Sequence, residues 1–280
     1  MRIHKILALG SLAVGAFTIG SCAIPQAPVE CNTATPMFAF YTLESGDPAS
    51  ECGAYGGDYI VTQRYLAPGS KDARLGILAL NGALGAPYVE GRETLDDPDF
   101  AHESAIGDFK TLNPDDKGIC DVVNVADGYE TFVAIPGDPG DPDAGVDPTP
   151  EVPELTVRHK YEGVRVLSTA QIPGTLMDGH VTVTEDACTA KYSFFAVYPV
   201  VPCQTDEDCN PVADPANGRV TGSGMNPAYA PRCKFLAPGT VAPVFEEFYG
   251  VEVSDQADPA DRYGICFPAD DKTIDNLLNK

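Results

Sequence analysis

Tryptophan is absent from the 280 residues, and cations are scarce: 18 Lys and Arg stand against 41 Asp and Glu, a formal net charge of −23. Without indoles, twelve Tyr carry most of the scope for an aromatic binding platform, and that scope is modest. So acidic a chain repels phosphate backbones, which excludes nucleic acid as a partner. Anionic lipid headgroups are repelled as well, so any membrane attachment has to come from something other than a basic face. No Cys-x-x-Cys pair occurs, and the histidines (His4, His102, His159 and His180) are scattered. Zinc therefore lacks its usual closely spaced ligands. A Gly-x-Ser-x-Gly elbow is missing; Gly222-Ser223-Gly224 comes nearest and reads as a turn. His102-Glu103-Ser104 has triad residue types, but a triad is assembled across a fold rather than along a tripeptide. Acidic pairs such as Asp96-Asp97, Asp115-Asp116 and Asp270-Asp271 are expected from the number of acids alone. No Gly-rich phosphate loop precedes a helix. No motif fixes an activity.

Proline and glycine are plentiful, 25 and 27 residues. Both punctuate helices, so short strands joined by turns are favoured. The apolar fraction, 44%, suffices for a core. At the start of the chain Arg2, His4 and Lys5 precede an apolar run over residues 6–17 and then Ile19-Gly20-Ser21-Cys22. Basic head, apolar run and small residues form the plan of an export signal. The run falls short of the roughly 20 apolar residues that span a bilayer. Its ending resembles the lipobox of bacterial lipoproteins. That resemblance implies a diacylglyceryl group on the Cys22 thiol, with Cys22 as first residue of the mature chain. A multiply acylated cysteine holds a membrane where a single acyl chain binds only marginally.

Nine cysteines are an odd count for an exported chain. Assigning Cys22 to the lipid leaves Cys31, Cys52, Cys120, Cys188, Cys203, Cys209, Cys233 and Cys266. An oxidising compartment joins such residues as four disulfides. Their spacing divides them into two groups, the first four and the last four. Cys31 with Cys52 closes a hairpin-sized loop and is the expected bridge in the first group.

Four regions follow: a signal peptide over 1–21, a lipidated Pro-rich tether over 22–36, a β-rich domain over 37–202, and a Cys-rich region over 203–280 packed on it. Strands are expected at 37–43, 58–66, 76–80, 119–125, 130–135, 155–162, 164–167, 180–185 and 189–201, from aromatic and β-branched residues alternating between turn clusters. Residues 95–113 read as acidic and irregular. In the last strand Tyr192, Phe194, Ala196 and Tyr198 share one face and Phe195 and Val197 the other, as in a strand packed on both sides. Short helices are expected at 243–250 and 271–280. The fold class is all-β, a mainly antiparallel sandwich or barrel-like fold, stapled by disulfides, with little helix and long loops.

Residues 136–153 hold six prolines, no aromatic side chain and no cation. They read as an exposed acidic loop, either a boundary between lobes or an insertion within one sheet. Asp138, Asp141, Asp143 and Asp147 gather there, and calcium takes six to eight oxygen ligands. Their spacing departs from the EF-hand pattern, so a solvated acidic linker is the plainer reading. Asp206-Glu207-Asp208, held between two cysteines, is a second acidic cluster.

The lipobox, Cys203-x-x-Asp206-x-Asp208-Cys209, Gly264-Ile265-Cys266 and the segment from Cys188 through Tyr198 to Cys203 together resemble Cys-rich lipoproteins of the myxobacterial type. The resemblance implies an outer-membrane or surface lipoprotein and transfers no catalytic residue. The expected function is that of a lipid-anchored extracytoplasmic envelope protein with a binding or structural role. Its partners are the membrane, through the lipid, and a protein or glycan at the cell surface. The alternatives are a secreted hydrolase assembled from distant residues and a calcium-stabilised surface adhesion module.

Overall fold

The computed structural model describes residues 29–66, 68–69, 72–80, 103–137, 139–140, 148, 150–151, 153–170, 172–212, 216, 221–235, 264–269 and 274. Nine strands run in order: β1 Met37–Ser45, β2 Gly57–Leu66, β3 Ala73–Ala79, β4 Ala105–Phe109, β5 Ile119–Val123, β6 Gly128–Phe132, β7 Leu155–Ser168, β8 Pro173–Glu185 and β9 Cys188–Val197. Every pairing among them is antiparallel and most join sequence neighbours. β9 returns to β1, and β5 pairs with β7 as well as with β4. These contacts close the sheet into an up-and-down barrel, which removes the exposed edges an open sheet leaves.

β5 and β6 act as one interrupted strand along β7. Ile119 faces Leu167 and Gly128 faces His159, so nine steps on one side meet eight on the other. Asn124, at φ 54°, lies in the interruption. Since Phe132 pairs with Leu155, the Pro-rich segment is an insertion between adjacent strands of one sheet.

Alternation sets the two faces of the wall. Met37, Ala39 and Tyr41 of β1, Ile60 of β2, Leu75 and Ile77 of β3, and Tyr192, Phe194 and Ala196 of β9 point into the barrel. Phe38, Phe40, Tyr59, Leu176, Phe195 and Val197 point outward, beneath a second sheet. That sheet comprises β10 Pro202–Cys203, β11 Arg232–Phe235 and β12 Gly264–Phe267, with a short helix, α1 Asp206–Cys209, beside it. Phe267 meets Phe40 and Phe195 edge-on, with ring centroids 4.4 and 5.3 Å apart. β9 is thus apolar on both faces because both are covered.

Three expectations are corrected. Residues 29–36 do not hang free as the end of a tether. Cys31 N–H donates to Leu112 O, Ala34 N–H to Gly174 O, Thr62 Oγ1 to Ala34 O and Ser168 Oγ to Glu30 O. Periodicity is missing there because the partners lie on distant strands. Second, Cys31 bonds to Cys120 and Cys52 to Cys188, at opposite ends of the barrel, rather than to each other. Third, residues 105–109 form β4 inside the stretch expected to be irregular. Gly107 fits because a Cβ there would crowd Val122 and Val125. The helices expected at 243–250 and 271–280 fall outside the described residues, Ile274 excepted.

A closed barrel and a candidate site on its wall

An eight-strand barrel has an interior that side chains can fill or that one small ligand can occupy. Here large side chains occupy it: Met37, Tyr41, Phe109, Phe132, Tyr161, Met177, Tyr192 and Phe194 are all buried in one cluster. Tyr161 meets Phe194 edge-on at 5.7 Å. Asp58, 1% exposed, lies among these rings. Burial holds the Tyr41 phenol far above its ordinary range; the neighbouring Tyr161 and the Asp58 charge add to the shift. Burial, then Asp58, does the same to Tyr161. His159, expected only as a scattered histidine, stacks on Tyr161 inside the wall. Burial pushes its imidazole down to about 4, so it is neutral and poorly placed to serve as a base exposed to substrate.

Both mouths are closed by cystine-held segments. At one, the turn Glu51–Gly53 and the residues after it form a plug. Tyr192 Oη donates to Cys52 O, Tyr55 N–H donates to Tyr192 Oη at 3.2 Å, and Tyr55 Oη donates to Glu185 Oε2 at 2.6 Å. Cys52–Cys188 fastens this plug to the start of β9. At the other mouth, residues 29–36 cross the opening, fastened by Cys31–Cys120 and by an ion pair of Arg64 with Glu30 at 2.7 Å. Gly174, at φ 72°, passes under this segment, where a Cβ would overlap Asn32 O.

The outer wall carries the candidate site. A recess of about 170 Å³ is lined by Gly163, Arg165, Asp178, Gly179, His180, Ser193 and Phe194. A register shift in β7 between Glu162 and Arg165 places Gly163 beside β8, and Gly163 and Gly179 leave the wall thin. Arg165 grips Asp178 with Nε to Oδ1 at 2.9 Å and Nη2 to Oδ2 at 2.7 Å. Asp178 Oδ2 also accepts the Ile274 N–H at 2.9 Å, tying the C-terminal part of the chain to the wall. Further along, His180 lies opposite Ser193 on β9, and its Nδ1 is 3.1 Å from Glu44 Oε2. Ser193 Oγ donates to Thr42 O at 3.5 Å. The recess is therefore lined by a guanidinium, a carboxylate, an imidazole and a hydroxyl above a glycine floor, with the Glu44 carboxylate against the imidazole. That set suits hydrogen bonding to a polar ligand.

Sequence reasoning missed Glu44, Arg165, Asp178 and Ser193, which come from β1, β7, β8 and β9. The register of the closed sheet brings them together, and no local pattern marks them. In the Cys-rich part, Cys203 bonds to Cys233 and Cys209 to Cys266. Each of the two groups of cysteines pairs within itself. Asp206 and Asp208 act as structural acceptors: Asp206 Oδ1 takes the Cys233 N–H, and Asp208 Oδ2 takes the N–H groups of Gln204 and Thr205. Cys22, His102, Asp138, Asp141, Asp143 and Asp147 lie outside the described residues.

A family model described as MlpA matches residues 35–199. The matched stretch begins just before β1 and ends just after β9, so it coincides with the barrel and leaves the Cys-rich sheet outside. A curated Myxococcus xanthus protein named "Putative lipoprotein MlpA" is 29% identical over 134 residues, 48% of this chain and 48% of that protein. The chain thus spans about half the length of the curated relative it matches. No solved structure matches.

Proposed function

From the premise that this chain belongs to the MlpA family, we propose that it is a lipid-anchored protein of the cell envelope, held by an acylated Cys22, that binds a surface partner rather than turning over a substrate. The name of the Myxococcus xanthus relative and the lipobox-like ending support the anchor. One observation carries the binding role: the barrel interior is filled by side chains and closed at both mouths, so a ligand meets the outer wall. The recess beside His180 and Ser193 is where it docks, and its mixed donors and acceptors suit a glycan or a polar peptide. The outer membrane, on its periplasmic or surface face, belongs to the same reading.

The anchor is tested by intact mass of protein extracted from membranes and alkylated without reduction. An acylated Cys22 and no alkylated thiol are expected; an unlipidated chain overturns the anchor. The binding half is tested by following the His180 imidazole by NMR while envelope glycan fragments and peptides are added. A saturable shift that Ser193→Tyr abolishes is expected, whereas a shift that survives this filling of the recess places the ligand elsewhere.

A hydrolase is the second reading. Glu44 and His180 have the acid-to-base spacing of a triad, with Ser193 opposite the imidazole. Ser193 turned toward Thr42 O weighs against it. Labelling by a fluorophosphonate, lost in Ser193→Ala, would favour this reading over binding. The calcium-stabilised module rests on Asp138, Asp141, Asp143 and Asp147. A melting temperature that rises with calcium and falls with EGTA would support it.

A further inference from the structure

The Cys-rich region brings together three sulfurs that the sequence keeps apart, with a fourth bonded to one of them. Cys233 and Cys266 face each other directly across β11 and β12, yet each is bonded to another cysteine. The Sγ atoms of Cys203, Cys209 and Cys266 lie within 4.8 Å of one another, and these residues are 3%, 1% and 0% exposed. Cys203 sits on β10, Cys209 ends α1, Cys233 is on β11 and Cys266 is on β12. β12 lies between β10 and β11, α1 touches all three strands, and Phe267 and Ile265 fix the inner face of the sheet against the barrel.

Tetrahedral zinc binds thiolates at about 2.3 Å, which sets neighbouring sulfurs about 3.8 Å apart. Cys203 Sγ needs to approach the sulfurs of Cys209 and Cys266 by about 1 Å at most. The two bonded pairs need to open by somewhat more, once their bonds are broken. Both movements are within the reach of cysteine rotamers on a backbone that stays in place.

We infer that Cys203, Cys209, Cys233 and Cys266 form a latent tetrathiolate site for a thiophilic divalent cation of the zinc class. It is filled when the two disulfides are reduced. Two equivalents of a dithiol reductant supply four electrons and four protons. The two S–S bonds break, four thiols form, and the reductant leaves as two disulfides. The cation then displaces the four thiol protons and makes four metal–sulfur bonds. The Cys-rich sheet thereby has two closed states, one stapled by sulfur–sulfur bonds and one by a metal. The same residues can serve both because the two disulfides already hold three of the sulfurs within 4.8 Å of one another and the fourth bonded to one of them.

The test uses the full chain, reduced with a phosphine under anaerobic conditions and titrated with cobalt(II). One cobalt per chain is expected, with thiolate-to-cobalt charge-transfer bands that zinc(II) bleaches. Cys203→Ser combined with Cys209→Ser should weaken binding at least 100-fold. Alkylation in the presence of zinc supplies a readout that does not depend on a variant folding. Cys203, Cys209, Cys233 and Cys266 should be protected together, while Cys31, Cys52, Cys120 and Cys188 react. Absence of the bands, or protection spread evenly over all eight cysteines, overturns the inference.

Discussion

The phenolic hydroxyl of Tyr55 donates to Glu185 Oε2 at 2.6 Å across a sequence separation of 130 residues. This contact holds the plug over the mouth where Cys52 meets Cys188. Burial raises the Glu185 carboxyl above its ordinary value, and the Tyr55 hydrogen bond partly offsets that shift. With its folded pKa raised, Glu185 binds its proton more tightly in the folded state, so its contribution to stability declines as pH rises through that pKa. Tyr55→Phe removes the offset. It is expected to cost about 2 kcal/mol, the scale of a hydrogen bond to a charged group. The loss should grow as pH rises above the ordinary glutamate value, in urea unfolding followed as a function of pH. The Cys52–Cys188 bond should also be reduced faster than in the parent.

His159 predicts an acid limb of the opposite sign. Its folded pKa, about 4, lies below the ordinary 6.5. The unfolded chain therefore binds the proton first, and stability falls as pH drops from about 6.5 to about 4. The full effect is about 3 kcal/mol at 1.36 kcal/mol per pKa unit. His159→Phe, which keeps an aromatic ring beside Tyr161, should flatten this part of the stability profile relative to the parent. An unchanged slope would mean that His159 does not carry the acid sensitivity.

Arg165 and Asp178 form a pair in which one partner is deeply buried, the carboxylate side chain being 4% exposed against 27% for the arginine. Arg165→Leu leaves that carboxylate without its cation and is expected to cost about 3–5 kcal/mol. The double substitution Arg165→Leu with Asp178→Leu should recover much of this. Recovery should stop short of the parent, because the Ile274 N–H loses its acceptor. A thermal-melt cycle of the three variants measures the coupling.

Gly174 makes the most demanding backbone approach at the other mouth. Its φ of 72° and the Asn32 carbonyl beneath it leave no room for a methyl group. Gly174→Ala is expected to detach residues 29–36. The same mouth can be opened from its covalent side with Cys31→Ser and Cys120→Ser, at a cost of about 2–5 kcal/mol. Limited proteolysis before Met37 should become fast in both cases, and a parent-like digestion rate would contradict the docking.

Strands β2, β7 and β9 were legible because side chains on a half-buried wall alternate, and β9 announced its second cover by being apolar on both faces. β4 was not legible, since Ala105-Ile106-Gly107-Asp108-Phe109 carries two poor strand formers whose place is set by neighbours on β3 and β5. The first bridge was misread because Cys31 and Cys52 are close in sequence but sit at opposite mouths. The recess was invisible for a topological reason: Glu44 and His180 are 136 residues apart and meet only when β9 returns to β1. The division of the cysteines into an early and a late group was readable from spacing, because the early four belong to the barrel mouths and the late four to the outer sheet.

The strap of residues 29–36 turns the molecule into an oriented object. If Cys22 carries the proposed lipid, seven residue steps separate it from Val29. At about 3.5 Å per residue the full extension of that backbone is about 25 Å. That is shorter than the span of many protein domains, so on the proposed anchoring the barrel would not tumble freely above the membrane. On the proposed anchoring, the mouth fastened by Cys31–Cys120 is the end nearer the lipid. The opposite pole looks away, with the Tyr55 plug, the Cys52–Cys188 bond and the strand ends Phe132 and Leu155 that bracket the Pro-rich insertion. A surface partner of the kind proposed would meet that pole first and the wall recess second.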